Sequence, residues 1–228
     1  MNVILFGDNH EQAEEIVRKA GFLIVTENPD FIVSFGGDGT LMRAETAHPG
    51  LPKILLRNSQ ICKKCSVFTN EEVLQKVIEG NYTKEKLPKL IATIRGKTIL
   101  ATNDIIIHNK NPRQGIRYSL CINNKPLGPV GREIIGDGII VATPFGSTAY
   151  YRSITDSYFE VGIGLAFNNS TEQSDHIVLK ENSVIELTLL RGPGQVFGDN
   201  DPQEIDLEAG DKVVIKLSEE FGEIVCPI

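Results

Sequence analysis

Positive charge is in short supply: 23 Lys+Arg stand against 30 Asp+Glu in 228 residues, a formal net charge of −7. A nucleic-acid surface needs an excess of Lys and Arg to meet phosphates, so general nucleic-acid binding is excluded. Long apolar runs are also lacking, and none approaches the ~18 residues a membrane-spanning helix needs. The first ten residues, MNVILFGDNH, hold no Lys or Arg and turn acidic at Asp8. They do not read as a secretory signal, and the cytoplasm is the expected compartment. Cysteine is sparse, at Cys62, Cys65, Cys121 and Cys226, and reduced thiols are expected there. No repeat of ~20–50 residues and no low-complexity segment occurs, which excludes solenoids and fibrous arrays. What remains is an ordinary globular composition, 41% hydrophobic and 23% charged, long enough for one large core or two small ones.

The order of segments divides the chain. Residues 1–6 are a short apolar run ending at Gly7 and read as a buried strand. Residues 10–20 place Ala13, Ile16, Val17 and Ala20 at helical spacing, with Gly21 as a C-cap. Strands at 22–26 and 31–35 flank an Asn28-Pro29-Asp30 turn. A helical stretch at 41–47, a strand at 53–56 and a helix at 70–79 follow. This alternation predicts a parallel α/β sheet. From about residue 90 the pattern is strand after strand. Turn signals punctuate it at Asn123-Asn124, Gly128-Pro129, Gly136-Asp137-Gly138, Gly192-Pro193-Gly194 and Glu208-Ala209-Gly210-Asp211. An all-β region with one helix near 147–154 is predicted, with a boundary between residues 80 and 90.

Three segments carry candidate chemistry. In FIVSFGGDGT (31–40) a buried strand ends in a glycine-rich turn that opens a helix, where ligands of open α/β sheets bind. Gly36, Gly37 and Gly39 are read as positions for φ > 0 and close backbone approach, with N–H groups cradling phosphates. Asp38 fits a general base near a substrate hydroxyl or a partner of Mg²⁺, and the alternative is a plain Asp-Gly corner. In GDGIIVATPFGSTAYYRS (136–153), Ser147 or Thr148 is a candidate N-cap beside a polar ligand, or simply a cap. Thr102-Asn103-Asp104 interrupts a strand, as a bulge or strand end, and two polar groups there could fork around the hydroxyls of a ribose.

GGDGT at 36–40, Asn103-Asp104, and GDGIIVATPFGSTAY at 136–150, in that order and spacing, resemble the NAD kinases of bacteria and archaea. GGDGT alone is shared with diacylglycerol and sphingosine kinases. The resemblance covers 31–153 well and continues more loosely to about 217. It implies an N-terminal Rossmann-like α/β domain (1–88), a C-terminal β-sandwich domain (89–210), and a segment (211–228) returning to the first domain. The implied reaction moves the terminal phosphoryl group of ATP, or of polyphosphate, to the 2′-hydroxyl of the adenosine ribose of NAD. It implies a divalent metal, Mg²⁺, held mainly by phosphates, and a homodimer or homotetramer with the NAD site at a subunit interface. Asp38 is then the catalytic carboxylate, with Gly37, Gly39 and Thr40 on phosphates. Asn103 and Asp104 would bind NAD, and Asp137 would reach it across the interface. Thr148, Ala149, Tyr150 and Ser153 would frame its adenine half. Lys110 or Arg113 would supply a phosphate-facing cation. A homologue that binds the dinucleotide without phosphorylating it, or a kinase with another acceptor such as a lipid, stays open.

The sequence departs from that family in three places. The stretch 56–66, LRNSQICKKCS, lacks the family's glycines. No Gly-Gly-Pro follows Ser153. The late Asp-Gly turn becomes Asp199-Asn200-Asp201, with Asn expected to take the left-handed conformation. Cys62-x-x-Cys65 has too few ligands nearby for zinc and is read as a structural or incidental pair. His10, His48, His108 and His176 do not cluster.

Overall fold

The computed structural model describes residues 1–8, 10–60, 62–127, 132–172, 174–199 and 201–228. The expected Gly128-Pro129 turn and the Asn200 turn position lie outside the described residues. The chain divides into two compact units, Met1–Leu87 with Phe221–Ile228, and Pro88–Glu220. Residues 211–220 therefore belong with the second unit, and only the last eight residues return to the first.

The first unit begins β1 (Asn2–Gly7), α1 (His10–Lys19), β2 (Leu23–Ile24), β3 (Phe31–Gly36), α2 (Asp38–Ala47), β4 (Pro52–Arg57) and α3 (Asn70–Ile78). Its sheet runs β2-β1-β3-β4 with every neighbour parallel, and residues 223–224 add parallel to β4. A parallel sheet is covered on both faces, so its central strands are apolar without alternation. Residues 31–35 of β3 are accordingly buried at every position. Ala13 and Val17 of α1 and Val73, Leu74 and Val77 of α3 pack with Val3, Val33, Ile54 and Val225 into one core. Two buried charges in this unit are paired: Lys53 meets Glu45 and also donates to the His48 carbonyl at 2.7 Å.

Helix α3 owes its start to a capping box. Thr69 Oγ1 accepts from the Glu72 N–H at 3.2 Å, and the Glu72 carboxylate accepts from the Thr69 N–H at 2.8 Å. Two first-turn donors are thus satisfied. Thr69→Ala is expected to cost about 1 kcal/mol in urea unfolding, with Thr69→Ser close to wild type.

The second unit takes the rest: β5 (Tyr82–Ile94), which carries the chain into it, β6 (Lys97–Ala101), β7 (Asp104–Asn109), β8 (Ile116–Ile122), β9 (Lys125–Pro126), β10 (Ile134–Gly136), β11 (Gly138–Ala142), α4 (Tyr150–Thr155), β12 (Ile163–Asn168), β13 (His176–Leu179), β14 (Ile185–Arg191), β15 (Gly194–Gly198), β16 (Glu204–Leu207) and β17 (Lys212–Pro227), which carries it back. One antiparallel sheet runs β13-β12-β11-β7-β15-β16. In the other, β10, β8, β14 and residues 212–215 of β17 are neighbours. Ile105, Ile107, Val141, Leu165 and Val196 of the first sheet share a core with Leu120, Leu187 and Ile215 of the second. This is a β-sandwich. The strand period of two sends Ile106 to the opposite face, where Ile140, Ala142 and Ala166 pack with Tyr151 and Phe159. Asn123 and Asn124 take φ of 52° and 63°, as a tight turn between twisted strands demands.

Candidate functional site

The first cluster lies in the first unit, where β3 ends and α2 begins. The glycines do not play the part expected of them. Gly37 is the N-cap with φ −120°, and α2 starts at Asp38, so Gly39 sits in its first turn. None of Gly36, Gly37 and Gly39 has positive φ. The helix begins three residues earlier than the hydrophobic pattern indicates, because Thr40 and Leu41 both donate to the Gly37 carbonyl, at 3.0 and 3.2 Å. Small size is what Gly36 supplies: a Cβ there would lie 2.2 Å from Thr40 Oγ1. Asp38 and Gly39, in the first turn, have no intrahelical acceptor for their N–H groups, which makes this end suited to an anion.

Asp38 has unexpected company. Its Oδ2 accepts the Lys63 N–H at 3.2 Å, and its Oδ1 accepts the Lys64 N–H at 3.0 Å. Cys62 Sγ lies 3.5 Å from the same Oδ1. Cys62 and Cys65 are disulfide-bonded, which corrects the expectation of reduced thiols. Cys62 thus has no proton to give, and its approach to Oδ1 is a contact rather than a hydrogen bond. Burial lowers the Lys64 ammonium, with Asp38 and Glu85 opposing. The segment that departs most from the family's glycine pattern is therefore the one that holds Asp38.

The second cluster lies in the sandwich. Asn103 sits in a bend between β6 and β7. The Asp199 carboxylate gathers three consecutive N–H groups, from Thr102 at 2.7 Å, Asn103 at 2.7 Å and Asp104 at 3.2 Å. The Asp199 N–H returns a bond to the Asp104 carbonyl at 3.0 Å. Asp199 itself takes the left-handed conformation, φ 48°. The other side of the bend is held by the TPFG turn. Thr143 Oγ1 donates to the Thr102 carbonyl at 2.6 Å, and the Thr143 N–H donates to the Asn103 carbonyl at 2.9 Å. A Cβ on Gly146 would fall 2.0 Å from the Asn103 carbonyl oxygen, so only glycine fits. Segments 102–104, 143–146 and 199 are thus one assembly. The sequence alone does not mark Asp199 or Thr143 as site residues. Their signals in the sequence are a place in the late turn at 199–201 and in the stretch 136–150, neither of which says what the side chain binds.

Two carboxyls meet here at close quarters. Burial, and then the charge of Asp199, push the Asp104 carboxyl up to about 7. Burial also raises Asp199, against the pull of its three N–H bonds and of Lys89. For Asp104 the folded state favours the protonated form. Its contribution to stability is full below the model-peptide value of 3.8 and is lost as pH rises through about 7. Asp104→Asn is therefore expected to flatten the fall in melting temperature between pH 5 and pH 8, measured by thermal unfolding.

The remaining expected residues are placed as follows. Ser147 is fully buried in a single 3-10 turn (Gly146–Thr148), with Oγ 2.7 Å from the Pro144 carbonyl and 2.9 Å from that of Phe159. Neither Ser147 nor Thr148 caps α4; its N-cap is Ala149, without a side-chain bond. Ala149 is exposed, Tyr150 is half-buried and Ser153 Oγ donates to the Tyr150 carbonyl at 2.7 Å. Tyr151 is core, against Phe159. Asp137 is gripped on both oxygens, by the side-chain amides of Asn109 at 3.1 Å and Asn169 at 3.0 Å. Lys110, expected to face a phosphate, ion-pairs with Asp206 at 2.6 Å, and that bond raises its pKa. Among the described residues, no group of three or more His, Cys, Asp or Glu is placed to hold a metal ion. No helix of the described residues is long and apolar enough to cross a membrane.

Comparison with known proteins covers both units. The ATP-NAD kinase C-terminal domain family matches residues 102–225. A bifunctional NADP phosphatase/NAD kinase of Methanococcus maripaludis is 27% identical over 219 residues, which is 90% of this chain and 38% of that protein. A counterpart in Methanocaldococcus jannaschii is 27% identical over 85% of this chain and 35% of its own length. This chain thus spans well under half of those two relatives. An NAD kinase of Methanothermobacter thermautotrophicus is 26% identical over 92% of this chain and 76% of its own length. Among solved structures, yeast NADH kinase complexed with NADH superposes with a TM-score of 0.87 at 18% identity, over 100% of this chain and 84% of that one. The NAD kinase of Archaeoglobus fulgidus in complex with ATP superposes with a TM-score of 0.78 at 22% identity, over 98% and 92%. At these identities the structures share the fold.

Proposed function

Since the chain belongs to the ATP-NAD kinase family, we propose that it transfers the terminal phosphoryl group of ATP or polyphosphate to the 2′-hydroxyl of the adenosine ribose of NAD, giving NADP. The observation that carries this reading is the position of Asp38. A carboxylate on the first turn of α2, at the carboxyl end of a buried parallel strand, stands where such sheets bind nucleotides. Phosphoryl transfer asks a protein for positioning and charge neutralisation more than for covalent help.

In this reading Asp38 takes the proton of the 2′-hydroxyl. The N–H groups at the start of α2, with Gly37, Gly39 and Thr40, hold phosphate oxygens. Asn103 and Asp104 bind the ribose and nicotinamide side of NAD, on a bend made rigid by Asp199 and Thr143. Thr148, Ala149, Tyr150 and Ser153 frame the adenine half. Asp137 acts from a neighbouring subunit of a homodimer or homotetramer. Lys110 would have to leave Asp206 to meet a phosphate. Mg²⁺, carried on the phosphates rather than in a protein cage, would neutralise their charge. The reading places the enzyme in the cytoplasm.

The test is incubation with NAD, ATP and Mg²⁺, coupling NADP to an NADP-specific dehydrogenase. Turnover well above that of Asp38→Ala is expected. NAD binding by calorimetry with no turnover on ATP or polyphosphate would overturn the kinase in favour of a binding module.

A further inference from the structure

We propose that Cys62 and Cys65 form a redox site, open to thiol–disulfide exchange with a small dithiol, whose oxidised state restrains Asp38 and whose reduced state releases it. The proposal rests on Asp38 being the base of the kinase reading. The geometry lies wholly within the first unit. The bond joins residues three apart, closing a tight ring around Lys63 and Lys64. That ring presents two successive N–H groups to the two oxygens of one carboxylate. Cys65 Sγ meanwhile sits 4.0 Å from the Gly36 carbonyl, at the end of the strand that delivers Asp38. The bridge thus lies against both Gly36 and Asp38.

Restraint follows from what the base must do. To act as a base Asp38 must offer an oxygen to the substrate hydroxyl, and each of its oxygens already accepts a backbone N–H. A locked loop keeps both oxygens engaged. An open loop can withdraw those N–H groups.

The two sulfurs differ in access. Cys62 is 8% exposed and faces the Asp38 carboxylate, which repels an incoming thiolate. Cys65 is partly exposed. Beside the loop lies a cavity of about 150 Å³ lined by Lys64, Ser66, Leu55 and residues 224–227. One thiolate of the dithiol therefore attacks Cys65 Sγ. A mixed disulfide forms, the Cys62–Cys65 bond breaks, and Cys62 leaves with the electron pair and takes a proton. The second thiol of the reagent attacks its own sulfur in the mixed disulfide and releases Cys65 as a thiol. The reagent ends as a cyclic disulfide. Two electrons have reached the protein, and peroxide can take them back with release of water.

The experiment compares the full chain after dithiothreitol with the same protein after hydrogen peroxide, both freed of reagent. Alkylation in denaturant checks the state: two labelled cysteines, Cys121 and Cys226, when oxidised, and all four when reduced. The reduced form is expected to make NADP about tenfold faster, the loss that one or two charge-assisted bonds would impose. The double variant Cys62→Ser, Cys65→Ser should match the reduced form and ignore peroxide. Equal rates in the two verified states, or a faster oxidised form, would overturn the proposal. If neither state makes NADP, the kinase reading fails instead. The redox site is then judged on the Lys63 and Lys64 amide resonances, which must shift on reduction for it to stand and must not shift if it is wrong.

Discussion

Asp38→Ala, assayed in the reduced form, is expected to lower kcat by about 10²–10⁴, the usual contribution of a positioned general base. The dissociation constant for NAD should stay within about threefold, since a base acting on a hydroxyl contributes to the transition state far more than to ground-state binding. Asp38→Asn keeps the shape and one acceptor oxygen but cannot take the proton, so it should lose nearly as much. That pairing separates chemistry from architecture. The Lys63 and Lys64 N–H groups lose an acceptor in the alanine variant and recover one in the asparagine variant. An asparagine variant with near wild-type kcat would mean that Asp38 only positions the loop. A loss confined to KM would mean that it binds rather than reacts.

Asp199→Ala is expected to destabilise the protein by about 3 kcal/mol in urea unfolding, because each buried N–H left unpaired costs about 1–3 kcal/mol. Three such donors depend on this one carboxylate. The total stays below the sum because removing Asp199 also removes a partly desolvated charge beside Asp104. The same substitution should bring the Asp104 carboxyl down from about 7, since the charge of Asp199 is one of the two causes holding it up. The pH at which stability falls would then move lower. Affinity for NAD should weaken by at least about tenfold, because Asn103 and Asp104 would no longer be held in one conformation. Asp199→Asn, with one acceptor oxygen, should lie between the alanine variant and wild type. Unchanged NAD affinity in a folded alanine variant would separate the bend at 102–104 from the dinucleotide site.

These two residues mark the limit of reading the chain alone. FIVSFGGDGT announces itself, because an apolar strand running into glycine and a helix is a local pattern. The order of strands and helices before residue 88, and of strands after it, follows from apolar residues recurring at two or at three to four positions. Asn123-Asn124 likewise names its own turn. Asp199 is marked only as part of the late turn at 199–201, with no hint of what it holds. Its three bonds reach residues 95–97 positions away, and nothing local distinguishes it from Asp201. Cys62-x-x-Cys65 was visible as a pair, yet its bond and its seat against Asp38, 24–26 positions upstream, were not. The glycines of GGDGT suggest left-handed positions, whereas the site needs Gly36 to be small beside Thr40.

The sequence by itself determined the parallel α/β order, the change to strands near residue 88, the strand-to-helix corner bearing Asp38 and the polar interruption at 102–104. Periodicity and turn chemistry act between near neighbours, so they are written in short stretches. Only the tertiary structure decided which groups complete each corner: Lys63 and Lys64 on Asp38, Asp199 and Thr143 around Asn103, Asp206 on Lys110. Each needs a carboxylate or hydroxyl to arrive from a distant turn, within hydrogen-bond reach of unpaired backbone or charge. That arrival is set by the pairing of strands that lie far apart in the chain, not by any local spacing.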